Sequence, residues 1–127
     1  MSHDLLRLAD CLGHVLEAIE RIERYTQDMD DLVFLANQLV QDAVIRNFEI
    51  IGEACNNIEK RYPEFAAKHP ELPLAFAYQM RNAVAHGYFK VDFEIVWKTI
   101  HGDLPSLRAQ VTEALAAATG DNESMEP

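Results

Sequence analysis

The chain has 127 residues, 49% apolar and 25% charged, with a formal net charge of −10. That length supports one domain with a real core but not two, and the apolar half suits a packed globule rather than a disordered chain. The negative charge argues against a broad polyanion-binding face, which needs local Lys and Arg, and no apolar run approaches the ~20 residues needed to cross a bilayer.

The N-terminus MSHDLLRLAD lacks the basic and then apolar regions of a signal peptide. A cytoplasmic protein with no membrane partner is therefore expected. Cys11 and Cys55 have no Cys-x-x-Cys or Cys/His ligand spacing. Both fall inside helical patterns and read as reduced thiols in or near the core.

In chain order, Leu5, Leu8, Leu12, Val15, Leu16, Ile19 and Ile22 recur at three- and four-residue steps, which predicts a first helix over about 3–26. Asp30 is placed to cap a short helix through residues 31–35. A long helix is predicted over about 38–61, with Leu39, Ala43, Ile50, Ala54 and Ile58 as its apolar stripe, flanked by Val40, Val44, Phe48 and Ile51. Pro63, Pro70 and Pro73 then break the connector, leaving room for one helical turn at 64–68. A third main helix is predicted from Pro73 to His86, ended by Gly87. Asp92 caps another helix through Val96 and Ile100; the last restarts near Pro105 and runs to about Ala118. Residues 1–118 thus form one antiparallel all-α bundle, and 119–127, polar and acidic, are expected to be a disordered tail.

The stretch RNAVAHGYFK, residues 81–90, stands out because residues 61–100 carry five basic and four acidic side chains in an otherwise acidic chain. On a continuous helix five residues advance about 500°, so Arg81 and His86 lie ~140° apart. Ending the helix at Gly87 relaxes this, because the terminal turn and Tyr88 can then fold back. The negative end of the helix dipole favours protonated His86, while Arg81 pushes the other way. The two effects oppose, and the imidazole is suited to acid–base work. Read alone, the same residues also describe an ordinary capped helix end.

Other chemistries fit less well. Glu49 and Glu53 share a helix face, but no Glu-x-x-His pair of the di-metal bundles occurs. His3, His14, His69 and His101 lack metal-ligand spacing, and no Ser or Cys sits in a recognisable nucleophile setting. A cation, an imidazole and a phenol suit work on a phosphate.

Arg81, Asn82, His86 and Tyr88 resemble the Arg-Asn-x-x-x-His-x-Tyr pattern of the HepT-like toxins within the HEPN superfamily. QDAVIRNFEIIGEA (residues 41–54) and VDFEIVWKTIHGDLP (residues 91–105) are similar to that family's flanking helices. The family's tryptophan just before the motif helix is missing from ELPLAFAYQM. The resemblance implies a metal-independent, cofactor-free endoribonuclease acting on RNA. It would be the toxin partner of a minimal nucleotidyltransferase (MNT) antitoxin that transfers AMP to Tyr88.

Cleavage of RNA through its own 2′-hydroxyl needs a base, an acid and a cation for the charge building on phosphorus. Arg81 is assigned to the phosphate and His86 to proton transfer, with Asn82 orienting either one. Glu53 is a candidate to pair with Arg81, and Arg46 to add positive charge. One histidine serves poorly as base and acid together, so a two-fold homodimer pooling two motifs is expected. A non-catalytic helical bundle that binds substrate or partner for a nucleotidyltransferase is the alternative.

Overall fold

The structure is a computed structural model that describes residues 3–70 and 92–124, with side chains for 7–70 and 92–119. Among these residues there is no strand, so the chain is all-α as expected. The third main helix predicted at 73–86, and with it the 81–90 motif, lies outside the described residues.

Helix α1 runs His3–Thr26. Its Leu8, Leu12, Val15, Ile19 and Ile22 are buried, as their spacing requires of one helix face. Thr26 closes it by donating its hydroxyl to the Ile22 carbonyl at 2.8 Å. Asp30 then accepts from the Val33 amide at 2.8 Å and starts α2, Asp31–Leu35. Asn37 does the same for α3, Gln38–Arg61, accepting from Val40 N at 3.0 Å. Side-chain oxygens at these positions satisfy amides that a helix start leaves open.

The buried Gln41 side chain serves the other end of α2. Its Nε2 donates to the carbonyls of Phe34 and Leu35, each at 3.0 Å, closing the helix end alongside the Asn37 amide, which donates to the Phe34 carbonyl at 3.1 Å. Pro63, at the first position of α4 (Pro63–Lys68), ends α3 because its ring cannot continue the preceding ladder. Asp92 caps α5, Phe93–Gly102, through the amides of Glu94 and Ile95 at 3.0 and 3.3 Å. Helix α6 spans Leu104–Ser124.

Packing centres on α1, which lies against both α3 and α6. His14 of α1 shares a groove with Arg46 and Glu53 of α3, whereas Arg7 shares one with Arg61. The two helices therefore run antiparallel. Arg108 of α6 reaches Glu20 and Glu23 of α1 at 3.5 and 3.4 Å, an exposed pairing that contributes little stability. Helix α2 is pinned to α5 by aromatics: Phe34 is fully buried, with ring centroids 5.2 Å from Trp97 and 6.2 Å from Phe93.

Two sequence expectations need correcting. The buried seam of α3 is Val44, Phe48, Ile51, Cys55 and Ile58, while Leu39 is 80% exposed. Leu39 lies about 140° around the helix from the centre of that seam, on a face that α1 does not cover. The last helix continues to Ser124, six residues beyond Ala118 and into the acidic segment expected to be disordered. No proline interrupts it before Pro127, and the Thr119 hydroxyl folds back onto the Leu115 carbonyl at 2.9 Å, so local bonding there favours helix.

Phe34→Ala should lower stability by ~3–5 kcal/mol, the usual cost of emptying a buried phenylalanine site. Urea unfolding followed through Trp97, the chain's single tryptophan, measures it directly. A shift below ~1 kcal/mol would show that α2 does not depend on this aromatic contact.

Candidate functional site

Arg81, Asn82, His86 and Tyr88 all lie outside the described residues. What the structure places is the scaffold that the sequence assigned to support them. Arg46 and Glu53, seven residues apart on α3, project to nearly the same azimuth, since seven residues advance about 700°. Both line a single open groove of about 280 Å³ between α3 and α1. The groove therefore brings Arg46 and Glu53 together.

The groove holds two further titratable groups, of which the sequence pairs Glu49 with Glu53 on one helix face but does not bring in His14. His14 enters from α1, and Glu49 stands one turn before Glu53. Thirty-two residues separate His14 from Arg46 in sequence, and no spacing rule connects them. Only the antiparallel packing of α1 on α3 does. Had the apolar phases of the two helices been superposed, the polar positions flanking each seam would have pointed to this cluster. Asn57 adds a neutral donor and acceptor on the same face, and Ile50 and Ala54 make the floor apolar.

This arrangement combines one guanidinium, one imidazole and two carboxylates around a solvent-open cleft. It can bind an anion at Arg46 and orient a second cation through Glu53. It can also exchange a proton at His14. Among the described residues no three His, Cys, Asp or Glu side chains are grouped closely enough to hold a metal ion.

The two cysteines differ sharply. Cys11 borders the groove and is half-buried. Burial pushes its thiol up, with Arg61 acting against that and Asp10 adding to it. Cys55 is buried in the α1–α3 seam. Burial, then the nearby Glu59 charge and then Cys11, push its thiol from 9.0 up to about 12. A thiol so placed is inert.

With these residues located, similarity to known proteins can be set beside them. The family described as Ribonuclease HepT-like matches residues 15–114, a span that contains Arg46, Glu53, Arg81, His86 and Tyr88 and stops just short of His14. A Thermococcus cleftensis protein named "Probable ribonuclease HepT" is 43% identical over 101 residues, covering 80% of this chain and 89% of that protein. A Methanocaldococcus jannaschii protein named "Gamma-glutamylcyclotransferase and putative RNase MJ0434" is 38% identical over 104 residues, 82% of this chain. The chain spans 46% of that longer protein. Another from the same organism, "Putative RNase MJ1380", is 34% identical over 100 residues, covering 79% of this chain and 89% of that protein. No solved structure matches the chain.

The raised Cys55 thiol makes a pH prediction. The unfolded chain loses this proton near 9.0 and the folded one near 12, so the folded state binds more protons between those values. The contribution is therefore fully present below pH 9 and is lost as pH rises towards 12, at up to ~1.4 kcal/mol per pH unit. Denaturant unfolding from pH 8 to 11 should show this slope in the wild type and a shallower one in Cys55→Ala. Equal slopes would place Cys55 in contact with water.

Proposed function

The chain belongs to the HepT-like ribonuclease family and is an endoribonuclease, and from that premise we propose that it is a toxin cleaving RNA at a homodimer cleft with Arg81 and His86. The observation that carries this reading is the Arg-Asn-x-x-x-His-x-Tyr set at 81–88 inside the family-matched span. Location is a weaker guide: among the described residues no helix is long and apolar enough to cross a membrane.

The chemistry follows from the residue types. The 2′-hydroxyl of one ribose attacks the adjacent phosphorus; the O2′–P bond forms and the P–O5′ bond breaks. The hydroxyl proton leaves to an imidazole, and the departing O5′ takes a proton from an imidazolium. Two His86 side chains, one from each protomer of a two-fold dimer, divide these roles, and Arg81 neutralises the charge that builds on the phosphoryl oxygens. Asn82 orients the phosphate. Glu53 and Arg46, side by side in the groove, support Arg81 and add positive charge. No metal or cofactor is required by this route.

Tyr88 is the regulatory residue in this reading. A cognate MNT-type nucleotidyltransferase antitoxin transfers the AMP moiety of ATP to its phenol oxygen, releasing pyrophosphate. The new phosphodiester sets a negative charge and a nucleotide next to Arg81. It thereby occupies the cation meant for the RNA backbone, by the logic that makes phosphorylation a switch.

Arg81→Ala and His86→Ala should each leave a helical protein whose cleavage rate falls about a hundredfold or more, as loss of one transition-state contact typically does. Wild-type cleavage should persist in EDTA and leave 2′,3′-cyclic phosphate ends. Activity that needs added Mg²⁺, or that survives in His86→Ala, contradicts the mechanism.

With the antitoxin and ATP, mass spectrometry should find a gain of ~329 Da per AMP on Tyr88, a covalent modification that changes charge, together with loss of cleavage. Tyr88→Phe should stay active and unmodified. An adduct elsewhere, or a silenced Tyr88→Phe protein carrying one, refutes the assignment.

A further inference from the structure

The groove that holds Arg46 and Glu53 does not end there. A second lobe of about 220 Å³ adjoins it, sharing Cys11 and Asn57 as common walls. The far lobe is bordered by Arg7 and Asp10 of α1 and by Arg61 and Tyr62 at the end of α3. On α3 the residues Arg46, Glu53, Asn57 and Arg61 fall within about 80° of one another around the helix, and Arg46 to Arg61 covers ~22 Å along its axis. One continuous open channel thus follows the α1–α3 face.

Three of the chain's 11 basic side chains, Arg7, Arg46 and Arg61, line this channel. Each is exposed. Arg21 and Arg108, by contrast, are held by Glu17, Glu20 and Glu23, and among the described residues none of the three channel arginines forms an ion pair of that kind. In a chain of net charge −10, guanidinium groups left open along one groove are available to an incoming anion. Asp10, Glu49 and Glu53 interrupt them, so favourable phosphate positions are confined to separate points. That is how a strand with regularly spaced charges is held in register.

We propose that the α1–α3 channel is a binding track for single-stranded RNA, holding the strand on one side of the cut from Arg46 to Arg61. This rests on the nuclease reading above and names where its substrate lies. Arg46 holds a phosphate at one end of the track, and Arg7 and Arg61 hold another at the far end. Between them Asn57 and His14 meet base edges. The length corresponds to about six stacked nucleotides, fewer if the strand is extended. The lobes are too small for a duplex, whose recognition spans its broad minor groove.

The test uses Arg7→Ala/Arg61→Ala, two exposed positions outside the catalytic set. Cleavage of a fluorescent single-stranded 12-mer and of a dinucleotide is compared across salt concentrations. On the 12-mer, KM should rise about tenfold with kcat unchanged, and the dependence of log KM on log salt should flatten by about 1.4, the equivalent of two phosphate contacts on a single strand. Dinucleotide cleavage should match the wild type, and Arg7→Lys/Arg61→Lys should restore most of the salt dependence. Unchanged KM and salt dependence on the 12-mer, or an equal loss on both substrates, overturns the track. Fluorescence anisotropy of the 12-mer on His86→Ala, with and without the arginine pair, reports binding without cleavage. A wild type that cleaves no RNA defeats the nuclease reading, while this binding difference still decides the track.

Discussion

The seam between α1 and α3 is the contact on which the rest of the molecule depends. Leu12, Val15 and Ile19 from one helix and Val44, Cys55 and Ile58 from the other are fully buried. Each large side chain so buried contributes roughly 1.5–3 kcal/mol, and each is held in a single packing arrangement with its neighbours. The same contact fixes the groove. Cys11 and His14 lie beside the α1 seam, and Arg46, Glu53 and Asn57 beside that of α3. The relative positions of these polar groups are set by apolar neighbours only a residue or two away. A change in seam volume would therefore alter the groove width before it unfolded the protein.

Around that seam the short elements behave as spacers with satisfied ends. Asp30, Asn37 and Asp92 each place an oxygen on open amides at a helix start, and Gln41 closes the two carbonyls at the end of α2. These bonds matter less for their net stability, typically about 1 kcal/mol each, than for direction. They hold α2 at a fixed angle between α1 and α3, and the Phe34–Trp97 contact carries that orientation to α5. Helix α5 in turn packs on α6, which returns to α1. The bundle closes on the same helix with which it starts.

Local signals in the sequence were enough for most of this. The three- and four-residue apolar steps and the capping residues identify α1 to α5 closely, because propensity, pattern and caps agree there. Agreement failed at two places. Leu39 stands about 140° around α3 from the buried seam, so its exposure follows from which face α1 covers, and periodicity does not report that. The end of α6 was set too early because a polar, acidic composition was weighed over the absence of any helix-breaking proline. For the site, Arg46 and Glu53 were legible as separate candidates, and Glu49 and Glu53 as sharing one helix face. His14, Asn57 and Arg7 were not, since their significance comes from the crossing of two helices and not from a spacing within one.

The acidic character of the chain then acquires a physical use within the proposed function. At physiological ionic strength the Debye length is about 8 Å, so the open arginines act on a phosphate within the groove while the remote carboxylates are largely screened from it. Over the molecule as a whole the net charge of −10 disfavours indiscriminate polyanion binding. A basic surface would bind RNA everywhere and gain affinity without position. An acidic surface crossed by a groove in which three arginines alternate with three carboxylates gives up general affinity and, in the proposed track, retains it at the separate points where the arginines stand. Under that arrangement the groove, and not the net charge, decides which nucleic acids are held: a flexible single strand can follow the spaced arginines, and a stiff duplex meets the carboxylates first.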